Sequence, residues 1–451
     1  MDTRRIEYQH DVPFDYNKPY VIYWLQQTQR IHENHALERA ITLANHLEKP
    51  LKVIMIVDQN YIYANARNMT FVIDGFKSLA RELKAMGIVV EVEFGPFEMG
   101  ILSHLCDAAA FIMDSAYIRQ TRKLKQRILY HAKSNTIHTE IISSNVIVPV
   151  ALASEKLETA ARTLRPKLNR VVEDYIAPLK ISELLIKKGA IYGDIDTPTH
   201  DLVRQMNIKQ DIQPLTHYKG GENEALKRLE WFITHKLDAY DSSNDPSSNA
   251  VSRLSPYLHY GMISPMLIYR NVNAASVKTE SKNAFLEQLV VRRELAFNFT
   301  YYEQNYDCFD KMIDGWVQKT LDAHKDDPRP YTYTMDDYTK FNTHDPYFNA
   351  AMKEMVKTGH MHNYMRMYWG KKIIEWSKTY KEAYQTMIYL NNHYFLDGRD
   401  PNSYTGVAWC FGKHDHGWKE RAVFGKLRYM NASGLKRKFN IEAYVKKMDQ
   451  L

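Results

Sequence analysis

From Tyr20 to about Val150, short and nearly continuous apolar runs alternate with stretches whose apolar positions recur every three to four residues. Tyr20–Leu25, Leu51–Asp58, Ile88–Phe94, Ala109–Asp114 and Thr136–Ile142 have the β-rich character of strands, and Leu37–Leu47, Phe71–Met86 and Arg119–His131 the amphipathic period of helices. Strands apolar on both faces and separated by helices predict a doubly wound α/β domain with a parallel sheet covered on both sides. Such sheets bind ligands at the C-terminal ends of their strands. No Gly-x-Gly-x-x-Gly turn follows the first run, so the usual dinucleotide fingerprint is absent.

Beyond Ser154 the pattern turns polar and is interrupted by Pro166, Pro178, Pro198 and Pro214. After Glu222, helical periodicity dominates, tyrosines become dense and strand signals nearly vanish. The predicted division is an α/β domain over 1–153, a linker over 154–221 and an all-α domain over 222–451. At 451 residues the chain is long enough for two or three cores. No apolar run reaches the ~18–20 residues of a membrane span, and no signal-like segment follows Met1. The expectation is a soluble, monomeric intracellular protein of cytoplasm or nucleus. Three scattered cysteines, Cys106, Cys308 and Cys410, suggest neither a disulfide framework nor a thiolate metal site. A net charge of +7 only slightly favours a polyanionic partner, so the placement of charge matters more.

Five segments carry candidate chemistry. Val251–Gly261 sets hydroxyls and backbone N–H groups just before a predicted helix with Pro256 in its first turn; the arrangement suits phosphate binding, but taken alone it is more simply read as ordinary capping. The helical run Phe285–Phe299 carries arginines and carboxylates among apolar residues; they either pair with each other or meet a ligand. A helix read through Gly359 to Trp376 places Trp369 and Trp376 seven residues apart on one face, where aromatics are usually core. The His-x-His spacings at His360/His362 and His414/His416 are not those of helical zinc ligands, so no metal is expected. Near the C-terminus, Asp397–Asn402 is a turn signal with two acids, able to accept hydrogen bonds from a ligand or from its own backbone. Between Gly412 and Asn440 eight Lys/Arg face two acids, interleaved with aromatics, which suits either a nucleic-acid surface or a solvated helical face.

Together, Phe285–Phe299 and Gly412–Asn431 resemble the two signature segments of class II cyclobutane pyrimidine dimer photolyases, and the α/β-then-α plan resembles that of the photolyase/cryptochrome family. The resemblance implies an FAD, active as FADH⁻, held by Tyr240, Ser252, Leu254, Ser255, Arg292, Asn363, Arg366, Asp397 and Asp400. Asn391 matches the family's asparagine near flavin N5, with Asn392 as its rival. It also implies ultraviolet-damaged DNA, double- or single-stranded, as partner, with the dimer flipped out of the stack. Met367 and Trp409 match lesion-facing positions, and Lys413, Trp418, Arg421, Lys426 and Arg428 belong to the DNA-facing basic segment. The family's Glu-Glu pair reads Glu287-Gln288 here, and the sequence leaves open which of the two faces the lesion. A second, antenna chromophore in the N-terminal domain is left open as deazaflavin, folate or none.

The implied reaction is light-driven: excited FADH⁻ gives an electron to the dimer, which splits and returns it, so no acid–base pair or nucleophile is required. Photoreduction of resting flavin is implied to run over tryptophans. Trp369 and Trp376 match two relay positions, whereas the third is Phe348, a poor hole carrier, which predicts slow photoreduction or a detour through a tyrosine such as Tyr347 or Tyr368. Two alternatives remain. One is a cryptochrome-like photoreceptor, disfavoured by the short stretch after the basic segment. The other is a lesion-binding flavoprotein without repair activity.

Overall fold

Seven strands form a single sheet in the computed structural model, which describes residues Met1–Leu451. They are β1 (Ile6–His10), β2 (Tyr20–Trp24), β3 (Leu51–Val57), β4 (Val89–Phe94), β5 (Ala108–Asp114), β6 (Thr139–Ile142) and β7 (Ile191–Tyr192), in the spatial order β1-β6-β5-β2-β3-β4-β7. All neighbours are parallel except β1, which runs antiparallel along β6. Alternation along β2 divides the core. Val21 and Tyr23 pack with Leu37, Ile41, Ile73 and Leu79 of helices α1 (His35–His46) and α2 (Ala66–Ala85). Ile22 and Trp24 pack on the other face with Ile101, Leu124 and Ile128 of α3 (Phe97–Leu105) and α4 (Arg119–Ser134). Burial of each such aliphatic side chain contributes about 2 kcal/mol. The doubly wound reading therefore holds, with β1, β7 and α3 as additions.

β2 and β5 are neighbours from which the chain winds outward in opposite directions, so their C-terminal ends flank the topological switch point. Trp24 ends β2, and its buried Nε1 has no hydrogen-bond partner; nor has the Nζ of Lys125, 5.9 Å from the Trp24 ring. Burial pushes the Lys125 ammonium down to about 8.

The chain divides into two compact units. One comprises Met1–Ala153, Asn169–Glu230 and Leu254–Ala274; the other comprises Ser154–Leu168, Trp231–Arg253 and Ala275–Leu451. The 154–221 stretch thus contributes to both units, and Leu254–Ala274 belongs with the sheet. Buried polar groups explain the latter. Arg30 donates to Gly261 O (2.9 Å) and Asn145 Oδ1 (2.8 Å), Ser264 Oγ donates to Glu33 (2.7 Å), and Tyr257 donates to Lys219 O (3.0 Å). Glu222 likewise accepts from the backbone N–H groups of Ile31 and His32.

The second unit is helical. Its central helix, Asn363–Trp376, packs against Pro346–Thr358, Tyr380–Tyr394 and Pro401–Cys410. The predicted Phe285–Phe299 helix is instead an α-helix to Leu286, a π-helical turn over Glu287–Arg292 and an α-helix over Arg293–Tyr302. The Gly359–Trp376 run is also not one helix: Gly359, at φ 65°, ends Pro346–Thr358, and a new helix begins at Asn363. No helix is long and apolar enough to cross a membrane.

Candidate active site

The start of the Asn363–Trp376 helix is fixed from below by one buried carboxylate. Glu354 accepts from the His362 backbone N–H (3.0 Å), the Tyr444 hydroxyl (2.7 Å) and His360 Nδ1 (3.2 Å). Burial alone would raise its pKa; these donors, His360 foremost, hold it at about 2. His362, the N-cap, accepts from Tyr364 N–H through Nδ1 and donates through Nε2 to Ser243 O at 2.7 Å. It is therefore a neutral imidazole, and burial takes its pKa down to about 4.

With its first turn anchored, this helix aims Asn363, Arg366, Met367 and Trp369 into a cavity of about 310 Å³. The π-helical turn and the helix after it supply Gln288, Arg292, Arg293 and Leu295. Single π turns recur at functional sites because the widened turn re-aims side chains. Asn391 and Phe395 close a third side, and Asn402, Ser403, Thr405, Gly406, Val407, Trp409 and Cys410 form a fourth wall with His414 nearby.

The polar groups are held yet incompletely used. Arg366 donates from Nε to Met361 O (3.1 Å) and from one Nη to both oxygens of Asp397 (3.1 Å each), its Cζ lying 3.8 Å from the Phe395 ring centroid. Asp397 is thus the partner of a cavity arginine and not itself part of the lining. Asn391 donates to Asn392 Oδ1 (3.0 Å), which also accepts the Arg399 N–H (2.8 Å). Asn391 consequently lines the cavity, while Asn392 stands behind it as its support. Trp409 is backed by Lys371, whose Nζ lies 5.3 Å from the indole and donates to Cys410 O at 2.6 Å. Burial lowers that ammonium to about 8.

The Glu287–Gln288 alternative separates geometrically. Glu287 is drawn off by Arg165 (2.8 and 3.0 Å) and Arg292 (3.3 Å), whereas Gln288 lines the cavity. Asp400 is the N-cap of Pro401–Cys410, accepting from Asn402 N (2.9 Å) and Asn402 Nδ2 (2.7 Å). Tyr240 lies edge-on to Phe285 and Phe232, its hydroxyl pushed up to about 12 by burial. Leu254 is buried and is the N-cap of the short helix Ser255–His259, which has Pro256 in its first turn and no side-chain cap bond. Tyr240, Ser252, Leu254, Ser255, Asp397 and Asp400 are not among the lining residues.

In the basic segment the cations differ. Lys413 is buried, its Nζ donating to Asp314 (2.9 Å) and Met312 O (3.1 Å), so it is a structural cation and not a surface one. Arg428 pairs with Asp415 (2.9 Å) and lies 4.1 Å from the Trp418 ring and 5.5 Å from Trp409. Arg421 and Lys426 are exposed.

Sequence reading missed Arg293, Asn402, Ser403, Thr405 and Phe395. The Asp400-Pro401-Asn402-Ser403 capping signature was the available signal for three of them, since it marks a helix start beside the acids already singled out. Flat walls from Trp369, Trp409 and Phe395, with amides and guanidinium groups at the edge, suit a planar heteroaromatic ring rich in carbonyl and N–H groups. A flavin ring or a flipped pyrimidine meets that description.

Residues 21–183 match the family described as DNA photolyase. A relative from Methanothermobacter thermautotrophicus named deoxyribodipyrimidine photo-lyase is 42% identical over 434 residues, covering 96% of this chain and 95% of its own. Among solved structures, a class III photolyase from Agrobacterium tumefaciens superposes with a TM-score of 0.76 at 16% identity, covering 96% of this chain and 86% of its own. An archaeal photolyase from Sulfolobus tokodaii with two FAD molecules gives 0.65 at 17% identity, covering 95% and 89%. At such identities the structures speak for the fold alone, but the full-length relative settles kinship: the chain belongs to the DNA photolyase family.

Proposed function

We propose that this protein repairs cyclobutane pyrimidine dimers in ultraviolet-damaged DNA, as a monomeric class II photolyase using reduced FAD. The observation that carries the reading is the single cavity in which Asn363, Arg366 and Asn391 meet Gln288, Met367 and Trp409. The Sulfolobus tokodaii photolyase, described with two FAD molecules, and the name of the Methanothermobacter relative support it.

When bound, reduced flavin excited by blue light supplies the electron that opens the dimer and takes it back. The protein's part is to bind, orient and shield. Asn391, a neutral amide, and Arg366, kept in place by Asp397 and Phe395 with N–H groups remaining, would hold the flavin ring through hydrogen bonds. Met367 and Trp409 give a flipped pyrimidine an apolar surface that excludes water. Gln288 reads the base edge through an amide, which both donates and accepts and does not titrate. Arg421, Lys426 and the Trp418–Arg428 stack supply phosphate contacts and a ring face at the DNA surface. A second chromophore at the β2/β5 switch point is supported by the unpartnered Trp24 Nε1 and Lys125 Nζ, two donors suited to the carbonyls of a deazaflavin or a folate.

The test is to purify the protein, reduce it in the dark and illuminate it with blue light in the presence of dimer-containing oligothymidine. Light-dependent recovery of thymine absorbance is the expected result. Flavin retention without recovery would replace the reading by a photoreceptor or a lesion binder, and absence of flavin would overturn it.

A further inference from the structure

Just past the helix Pro401–Cys410 the chain turns back on itself. Gly412 N–H donates to Trp409 O (3.0 Å) and Lys413 N–H to Ala408 O (3.1 Å), and His414 follows at φ 62°, a left-handed conformation uncommon for a residue with a side chain. The His414 ring stands at the cavity wall, edge-on to Phe299 at 5.5 Å. Phe299 lies one helical turn beyond Leu295, which lines the same cavity. His414 is thus tied through the backbone to Trp409 and through Phe299 to the helix of Leu295.

Its two ring nitrogens are used unequally. Nδ1 lies 3.1 Å from Thr159 O, and a carbonyl oxygen only accepts, so Nδ1 carries the proton. Burial takes the imidazole pKa down to about 4, against the pull of the Thr159 carbonyl and with help from the Lys413 ammonium. The ring therefore holds no second proton at neutral pH, and Nε2 is a bare lone pair. That atom is buried without a hydrogen-bond partner. A buried acceptor left unmet costs free energy, and an N–H group of a ligand would relieve it. The cavity arginines only donate and its amides do both, whereas the free nitrogen of His414 only accepts. Thymine carries an N3–H between two carbonyls. Cytosine has a bare N3 there, which would set one lone pair against another.

We propose that His414 is a specificity-determining residue of the lesion site, its Nε2 accepting the N3–H of a flipped thymine and disfavouring a base without a proton at that atom. The inference rests on the dimer-repair reading above. Gln288 keeps its amide for the neighbouring carbonyl of the same base edge.

The experiment titrates the full chain, in the dark at neutral pH, with oligothymidine holding one thymine dimer, with the same oligonucleotide methylated at N3 of the dimer, and with undamaged oligothymidine. His414→Asn keeps an N–H for Thr159 O and places nothing at Nε2, while His414→Gln brings an amide oxygen near the Nε2 position. Wild type is expected to bind the dimer at least about tenfold more tightly than its methylated form, because a buried acceptor rejects a ligand that lacks the matching donor. In His414→Asn that preference shrinks to less than about threefold, with the loss falling on the unmethylated dimer, and His414→Gln regains most of it. Binding of undamaged oligothymidine and the urea midpoint, which a merely structural role would move, stay at their wild-type values in His414→Asn. In wild type, the ¹⁵N resonance of His414 Nε2 shifts on binding the dimer and not on binding the methylated form. Equal losses on both ligands in His414→Asn, or an Nε2 resonance that the dimer leaves in place, would overturn the proposal. A wild type that prefers the dimer to undamaged DNA yet tolerates N3-methylation overturns this inference alone, whereas one with no preference for the dimer overturns the functional reading and this inference with it.

Discussion

Arg30 in the sheet unit and Arg366 at the cavity are both held by neighbours, but to different degrees. Arg30 is fully buried, and its five N–H groups are matched by five acceptors: the carbonyls of His32, Glu33, Ser144 and Gly261 and the Asn145 side chain. Arg366 uses Nε and one Nη on Met361 and Asp397 and leaves the other Nη over, with the cavity beside it. Arg292 has only Glu287, at 3.3 Å, and is more than half exposed. A saturated guanidinium is a structural rivet, whereas an unsaturated one beside a cavity keeps donors in reserve for a ligand. The distinction can be broken by experiment.

The largest effect belongs to the rivet. Arg30→Ala strands several buried carbonyls and the Asn145 amide, and the loss of stability in urea unfolding is about 3–5 kcal/mol. Arg366→Ala costs much less stability but at least tenfold in flavin retention. Equal stability losses in the two variants would erase the contrast.

Next comes acid sensitivity in the sheet unit. Glu140 is fully buried; burial alone would raise its pKa, but paired hydrogen bonds from Arg39 (2.7 Å each) and a contact to His138 hold it at about 2. Its folded pKa lies below the ordinary value of 4.5, so its contribution is fully present above pH 4.5 and is lost as pH falls toward 2. Two and a half pKa units correspond to about 3 kcal/mol. Glu140→Gln is expected to lose that amount at neutral pH and to converge with wild type near pH 2 in denaturant titrations. A constant difference at every pH would show that packing, and not ionisation, sets the effect.

At the cavity, the two neighbours of the π turn part company. Gln288→Ala is expected to lower the light-driven repair rate about tenfold, equivalent to about 1.4 kcal/mol in the barrier. Glu287→Ala, whose carboxylate is occupied by Arg165 and Arg292, is expected to change it less than threefold. Gln288→Glu adds a titrating group and so a pH dependence that the wild type lacks. Reversed rankings would move the lesion contact to Glu287.

How much of this was legible in advance follows from which feature leaves a periodic trace. β2 to β6 and the helices α1, α2 and α4 were, because buried strands are continuously apolar and those helices keep a clear amphipathic period; the shorter α3 was not. β1, with Glu7 and Gln9 between less exposed neighbours, and the two-residue β7 were not, since a half-exposed edge strand and a strand of two residues carry too few positions. The π turn was invisible because its residues continue an apolar helical pattern, and only the i→i+5 hydrogen bonding distinguishes it. The helix break at Gly359–His362 was overlooked despite its glycine, because Met361 and the aromatics beyond extend the helical period. Most of the cavity arginines and amides could be named from their segments, but the rank of Asn391 over Asn392, and of Gln288 over Glu287, depends on where third residues sit. Lys413 shows the limit of composition: it belongs to a basic run, yet its ammonium points inward to Asp314.

That last difference yields the smallest and most discriminating effect. A cation that touches DNA phosphate releases condensed counterions, so its removal lowers the slope of log affinity against log salt by about 0.9. Lys426→Ala and Arg421→Ala, both at exposed positions, are each expected to lower the slope by about that much, weakening binding to damaged and intact duplex alike. Lys413→Ala is expected to leave the slope unchanged and to destabilise the fold instead, because Asp314 and Met312 O lose their donor. Salt titrations of duplex binding with the three variants separate the cases. A slope change in Lys413→Ala equal to that in Lys426→Ala would mean that the buried ammonium turns outward on DNA, and that burial in the free protein does not mark a cation as structural in this segment.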